Sequence, residues 1–366
     1  MKILYGVQGT GNGHLTRARA MARALARYPQ VQVDWLFSGR ERGDFFDMQC
    51  FGAWQWRRGL SFATRAGRVR PLATLRQLAP GEFLRDMREL DLDGYDRVVS
   101  DFEPVTAWAA RRQRRDCFGL GHQYALVPGV PRSRRNLLGS LVLRACAPVG
   151  TRIGLHWHHF GHPLLPPIVD ADARPAGGPA RASPREALVY LPFEDPERVI
   201  ALLRAIPGWR FAMFGPGLIA EQRGNVATHP VGRATFVAAL ERASHIVCNC
   251  GFELISEALC HGKRILAKPL AGQMEQVSNA LALQALGFAR IAQRLDPQVI
   301  GDFLALETTP PRSDWPDVAA AIAAWLVEGG EPLEAVSERL WRECGMAGPR
   351  GCADATGARD ALRAPA

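Results

Sequence analysis

The sequence predicts an α/β fold of two doubly wound parallel-sheet domains facing each other across a cleft. Three observations predict it. Short apolar runs of strand length alternate with amphipathic runs of helical period through both halves of the chain, as in βαβ units on a parallel sheet. Residues 163–184, rich in Pro, Ala and Gly, interrupt that alternation and read as a linker. In each half an apolar strand passes through glycine into a helix, near residues 9–14 and at residue 251. The division that follows is 1–162, a linker at 163–184, 185–344, and a weakly ordered tail at 345–366.

The first strand, residues 2–7, leads into Gln8-Gly9-Thr10-Gly11-Asn12-Gly13-His14. Residues 15–28 then form a helix with Leu15, Ala18, Ala22, Leu25 and Ala26 along one side. Three glycines at this junction let a ligand approach the backbone closely. The spacing is not a dinucleotide fingerprint, because His14 stands where a third Gly belongs, and no Gly-Lys-Ser/Thr follows for a P-loop. A histidine at a helix N-terminus is kept neutral by the dipole, which suits a general base near pH 7; capping the helix is the alternative. A second strand is predicted at 31–37. The stretch 57–76 carries Arg57, Arg58, Arg65, Arg68, Arg70 and Arg76 without an acid, either a solvated loop or a face for an anionic acceptor or phospholipid.

Strand 97–100 ends in Asp101-Phe102-Glu103-Pro104, and carboxylates at a strand's C-terminal end face the ligand side of such a sheet. Asp101 therefore orients His14 or the acceptor, or it caps the helix after the proline. Strand 117–120 leads to His122, a further acceptor-side candidate. Residues 137–146 read as an apolar helix, core or a partner or membrane face, too short to span a bilayer. His156, His158, His159 and His162 invite a metal, with His156 and His158 on one strand face, but no acid or cysteine nearby completes a ligand set.

The second half repeats the alternation: strand 187–191, helix 196–205, strand 210–214, helix 233–243 and strand 245–247. Cys248-Asn249-Cys250-Gly251 breaks the last strand, with Gly251 free to take a conformation other residues resist. Helix 252–259 follows, with Phe252, Ile255 and Leu259 on one face. Free N–H groups and the positive end of a helix dipole make this turn an anion site suited to phosphate. Glu257 lies about one and a half turns into the helix, an acceptor for hydroxyls of whatever the turn holds. After strand 264–267 comes a polar run, Gln273, Glu275, Gln276 and Asn279, offering donors and acceptors to a many-hydroxyl ligand. Helices 296–306, 314–328 and 332–343 complete the domain.

With 366 residues, 47% hydrophobic and 22% charged, the chain supports two cores of a soluble globular protein. The net charge of +9 invites nucleic acid, yet the only lysines are Lys2, Lys263 and Lys268. The arginine and alanine bias is compositional, and no RNA-binding signature or zinc-finger spacing appears, so no nucleic-acid partner is expected. Eight cysteines without a secretory signal or a two-residue spacer point to reduced thiols in the cytoplasm. Apolar stretches fall short of the roughly 20 residues that span a bilayer, which leaves peripheral contact at the inner face of a membrane open.

The stretch 245–283 resembles the nucleotide-sugar-binding motif of GT-B glycosyltransferases, in which a Gly-containing turn precedes a helix carrying a Glu. That motif continues through Gly-x-Pro and ends in Asp/Glu-Gln-x-x-Asn. Here stand Gly251, Glu257, Gly262-Lys263-Arg264 before Pro269, and Glu275-Gln276-Val277-Ser278-Asn279. The Gly11-Asn12-Gly13-His14 loop resembles the N-terminal loop of the same enzymes, among them the peptidoglycan N-acetylglucosaminyltransferase and the UDP-glycosyltransferases. The resemblance implies two Rossmann-like domains and a nucleoside-diphosphate sugar donor, a UDP-sugar first, on the C-terminal one. Glu257 would hold the ribose and Glu275 and Gln276 the sugar, with Gly11, Gly13, Gly251, Phe252, Gln273 and Asn279 completing the donor site. His14, with Asp101, would deprotonate a hydroxyl of a small-molecule, glycan or lipid-linked acceptor, with inversion. No cofactor and no bridging metal are implied; the Asp-x-Asp pairs are Asp91-Leu92-Asp93 and Asp170-Ala171-Asp172. The sequence departs from its relatives at Cys250, often Ser, at Glu275, commonly Asp, and at Leu191-Pro192-Phe193-Glu194-Asp195. In that last place many relatives have a glycine loop touching the diphosphate, and acids there cost binding unless they point away. A hydrolase, an epimerase or a non-catalytic binding module on the same fold are the alternatives.

Overall fold

The structure, a computed structural model, describes residues 1–61, 64–65, 68–69, 79–133, 145–175 and 183–347. Strand β1 (Lys2–Gln8) has Ile3, Leu4, Tyr5 and Val7 at 0% exposure, so it is covered on both faces, as a central parallel strand must be. Helix α1 (Asn12–Leu25) follows, then β2 (Gln32–Ser38), β3 (Trp54–Trp56) and a separate hairpin of β4 (Thr64–Arg65) and β5 (Arg68–Val69). Next come α2 (Pro80–Glu89), β6 (Arg97–Asp101), α3 (Pro104–Gln113), β7 (Phe118–Gly121) and β8 (Thr151–Gly154). The first sheet runs β3-β2-β1-β6-β7-β8 with every pairing parallel. The chain winds outward from β1 to β3 and returns on the other side of β1 as β6. The crevice where the two directions part is the ligand position of a doubly wound sheet, and residues 8–14 and Asp101 form its lips.

The second sheet repeats the plan. Its elements are β9 (Glu186–Tyr190), α4 (Pro196–Arg204), β10 (Arg210–Phe214), β11 (Glu221–Arg223), β12 (Val226–His229) and α5 (Arg233–Arg242). Then follow β13 (His245–Asn249), α6 (Phe252–Cys260), β14 (Arg264–Lys268), α7 (Met274–Leu286), β15 (Arg290–Ile291) and α8 (Pro297–Leu304). The order is β11-β12-β10-β9-β13-β14-β15, and β11 alone is antiparallel to its neighbour. Here the switch point lies between β9 and β13, at Tyr190 and the Cys250–Gly251 turn. Aspartates cap the helices that begin near prolines or loops: Asp195 accepts from Arg198 N (3.1 Å) and Asp296 from Val299 N (2.9 Å).

The chain closes with β16 (Arg312–Asp314), α9 (Val318–Glu328), α10 (Leu333–Glu343) and β17 (Gly345–Ala347). Helices α9 and α10 pack back on the first domain: Trp325 meets Phe118 edge-on at 5.5 Å, and Ser337 Oγ donates to Leu164 O (2.7 Å). The two domains share one core, in which Trp157 donates to Ser256 Oγ (2.9 Å) and lies 4.8 Å from the Phe252 ring. No helix of the described residues is long and apolar enough to cross a membrane.

Several expectations are corrected. Helix α1 begins at Asn12, three residues before residue 15, so Gly13 and His14 lie in its first turn. Asp314 is in a strand and α9 starts at Val318, because Asp317 accepts from Ala320 N (3.1 Å). The polar run after β14 is the first turns of α7, which polarity hid. Residues 345–347, expected to be loose, pair with β16. His156 lies beyond the end of β8, so it shares no strand face with His158. Among the described residues no cluster of three or more potential ligands can hold a metal. Most of the helix expected at 137–146, part of the arginine-rich stretch, residues 176–182 of the linker and 348–366 of the tail lie outside the described residues.

Candidate active site

The strand ends bring His14 and Asp101 together. His14 Nδ1 lies 2.7 Å from Asp101 Oδ1, with Asp101 fully buried and the His14 side chain 13% exposed. Asp101 does not cap the helix that follows; Glu103 does, accepting from Val105 N (2.9 Å) and Thr106 N (2.6 Å). That frees the Asp101 carboxylate for the crevice. Arg17, one turn along α1, donates from Nε to Asp101 Oδ2 (2.8 Å) and from Nη2 to Oδ1. Burial alone would raise the Asp101 pKa, but Arg17 and His14 outweigh it and hold the carboxyl below its ordinary value. An ionised carboxylate only accepts and a guanidinium only donates. The proton between His14 and Asp101 therefore sits on Nδ1, and Arg17 Nη2, 2.8 Å from Nδ1, directs its hydrogen to Oδ1. In the neutral imidazole Nε2 is then the nitrogen that can accept a proton.

The glycines divide by what surrounds them. Gly11 is the N-cap of α1, with φ −118° and open space where a Cβ would stand. Gly251 caps α6 at φ −76° and is equally unobstructed, so the conformational reason expected for it does not apply. Neither helix start is capped by a side chain, which leaves first-turn N–H groups to a ligand. Gly13 differs: a Cβ there would lie 2.3 Å from Glu253 Oε2, across the cleft in the first turn of α6. Nearby, Asn12 Nδ2 donates to Tyr190 Oη (2.9 Å), so the two switch points face each other.

The donor-side residues fall into two groups. Glu257 is 3% exposed and held by both arms of Arg233, at 2.8 and 3.2 Å. Burial raises its pKa and Arg233 opposes the rise. Glu275 accepts from Gln123 Nε2 of the first domain (3.1 Å), and Gln273 is the N-cap of α7 with Oε1 unpaired. Gln276 and Asn279 are also bonded to the scaffold. Gln276 Oε1 accepts from Leu270 N (2.8 Å), and Asn279 is fully buried, donating to Cys250 O (2.9 Å). The Asn279 Oδ1 meets His122 Nε2 at 2.5 Å, and His122 stacks on Phe252 at 4.1 Å. His122, 0% exposed and bonded on both ring nitrogens, is an interface histidine and not an acceptor-side group. Phe252, at 2% exposure, offers the turn its backbone and not its ring.

The acids of 191–195 turn out to be occupied. Glu194 pairs with Lys268 at the end of β14, and Asp195 caps α4. Arg23 pairs with Asp170 and Asp172, one of the two Asp-x-Asp pairs, at the linker. Lys268, Arg17, Glu253 and Arg233 were missed by sequence reasoning; all act through partners distant in the chain, and an arginine in an arginine-rich helix carries no local signal. A small hollow of about 40 Å³ is lined by Phe102, Tyr124, Leu126, Val127, Arg132 and Arg152, among others.

The sequence profile described as glycosyl transferase family 1 matches residues 1–137 and 159–307. No curated protein matches the chain. Among solved structures, it is similar to the glycotransferase of kitacinnamycin (18% identity, 94% of this chain and 99% of that one, TM-score 0.52). It is also similar to LpCGTa in complex with UDP (16%, 93% and 98%, 0.53) and to Arabidopsis thaliana UGT89C1 complexed with quercetin (11%, 93% and 98%, 0.54). At these identities the likeness is one of fold, with both domains spanned.

Proposed function

The chain belongs to glycosyl transferase family 1 and is a glycosyltransferase of the GT-B fold, and from that premise we propose that it moves a sugar from a nucleoside-diphosphate sugar to a hydroxyl acceptor, inverting the anomeric carbon without a bridging metal. The observation that carries the reading is the 2.7 Å contact of His14 with Asp101 at the crevice between β1 and β6. Asp101 keeps the proton on Nδ1, so Nε2 takes the acceptor's hydroxyl proton as that oxygen bonds to the anomeric carbon. The bond from that carbon to the diphosphate breaks on the opposite side, its electron pair leaving with the nucleoside diphosphate, which is single displacement with inversion. The uncapped start of α6 supplies positive potential for the leaving group.

Glu257 receives the ribose: with both oxygens on Arg233 it still has lone pairs for two hydroxyls. Glu275 has an oxygen beyond the one bonded to Gln123, and Gln276 keeps its amide NH2, so both can meet the sugar. A UDP-sugar is the first donor to test, a choice supported by the UDP named with one similar structure. Calorimetry with UDP, dTDP and GDP tests the reading first, and failure to bind any of them sinks it. Incubation with UDP-sugars alone comes second: free sugar would mark a hydrolase, an isomerised donor an epimerase, and unchanged donor that reacts when hydroxyl acceptors are added a transferase.

A further inference from the structure

Arg17 and Glu253 play no part in the chemistry above, yet they join its two halves. The Arg17 side chain is 1% exposed, and each of its three guanidinium nitrogens donates to a carboxylate. Nε and Nη2 go to Asp101 in the first domain, while Nη1 goes to Glu253 in the second, 236 residues away. A buried guanidinium is costly unless its charge is matched, and two carboxylates match it here. Burial pushes the Arg17 pKa down, and Asp101 and Glu253 more than reverse that, so the group stays charged. Glu253 reaches Arg17 only because position 13 lacks a side chain, since a Cβ there would overlap its carboxylate.

We propose that Glu253 is a positioning residue: through Arg17 it fixes Asp101, and so His14, making alignment of the base conditional on closure of the two domains. When the domains part, Arg17 loses one of its two carboxylates and swings with its free edge. Asp101 then follows the guanidinium, and the imidazole loses its fixed orientation. The groups facing Arg17 from every side are Asp101, His14, Tyr5 and Glu253, and only Glu253 comes from the second domain.

This rests on His14 being the base, so the experiment has two arms on the full-length protein. The first uses no ligand: the Nδ1-bound proton of His14 is observed by NMR and assigned by its loss in His14→Ala. The wild type shows it; Glu253→Gln, whose carbonyl oxygen still accepts from Arg17, keeps it; Glu253→Ala loses it to exchange with water. An unchanged resonance in Glu253→Ala overturns the proposal, whatever the protein's activity. The second arm measures single-turnover sugar transfer at saturating donor. Glu253→Ala loses about ten- to a hundredfold in rate while donor affinity holds, and Glu253→Gln recovers most of it. A loss of donor affinity with the rate intact, or equal rate losses in both variants, also overturns it. Absence of transfer by the wild type would count against the transferase reading, and the first arm would still judge the role of Glu253.

Discussion

At the residue scale, Asp101 and Glu257 are two buried carboxylates used in opposite senses. Asp101 is held below its ordinary pKa despite burial, by Arg17 and His14. A depressed folded value adds stability that is fully present above the unfolded carboxyl pKa of about 3.9 and is lost as pH falls through the folded one. Asp101→Asn should therefore unfold at a lower temperature than wild type at pH 7, and the gap should close as pH drops below about 3.9. Thermal melts across that range check it, and a gap independent of pH would refute the assignment. Glu257 instead has its pKa raised by burial, with Arg233 holding both oxygens. Glu257→Ala should weaken binding of the donor and of its nucleoside diphosphate alike, by about 1.5–3 kcal/mol for the lost charge-assisted hydrogen bonds. Calorimetry on both ligands reads this directly, and equal affinities in variant and wild type would move Glu257 to a scaffold role. The contact of His14 with Asp101 was legible in the sequence because one follows a strand through a glycine loop and the other ends a strand. Arg17 and Glu253 were not, since nothing local marks a contact made across 236 residues.

At the element scale, the helices begin where glycines or caps permit, and the two glycines of the first loop should behave differently. Gly11 has an ordinary φ and open space around it, so Gly11→Ala should leave the melting temperature unchanged and lower activity only if a ligand fills that space. Gly13→Ala would push Glu253 off Arg17 and should destabilise closure and slow turnover together. Melting temperature and turnover measured side by side separate the two, and the same pattern in both variants would contradict the geometry. The strands were the most legible elements: residues 210–214 were read to their ends, because a strand buried on both faces is a short apolar run with clear limits. Helix α7 was illegible as a helix because its exposed and interface positions are polar from Gln273 to Asn279. Its start is fixed by tertiary partners, Leu270 and Cys250 among them, that no window of sequence contains.

At the scale of the whole molecule, two doubly wound sheets present their switch points to each other, and a buried polar seam joins them. Asn279 links the Cys250 turn to His122 of the first domain, so Asn279→Ala leaves a buried carbonyl and an imidazole nitrogen without partners. That should cost about 1–3 kcal/mol of stability, visible in denaturant melts, and a neutral result would mean the seam is wetter than its burial implies. The C-terminal helices α9 and α10 tie the second half back onto the first, which the order of elements along the chain did not foretell. On the proposed mechanism this closed pair of domains transfers a sugar with His14 as the base. The most direct test is sugar transfer from labelled UDP-sugars to a panel of hydroxyl acceptors, wild type against His14→Ala, with donor affinity measured in both. The expected result is transfer by the wild type, unchanged donor affinity, and a rate about 10²–10⁴ lower in the variant. A variant that binds donor poorly and transfers at the wild-type rate when saturated would contradict it.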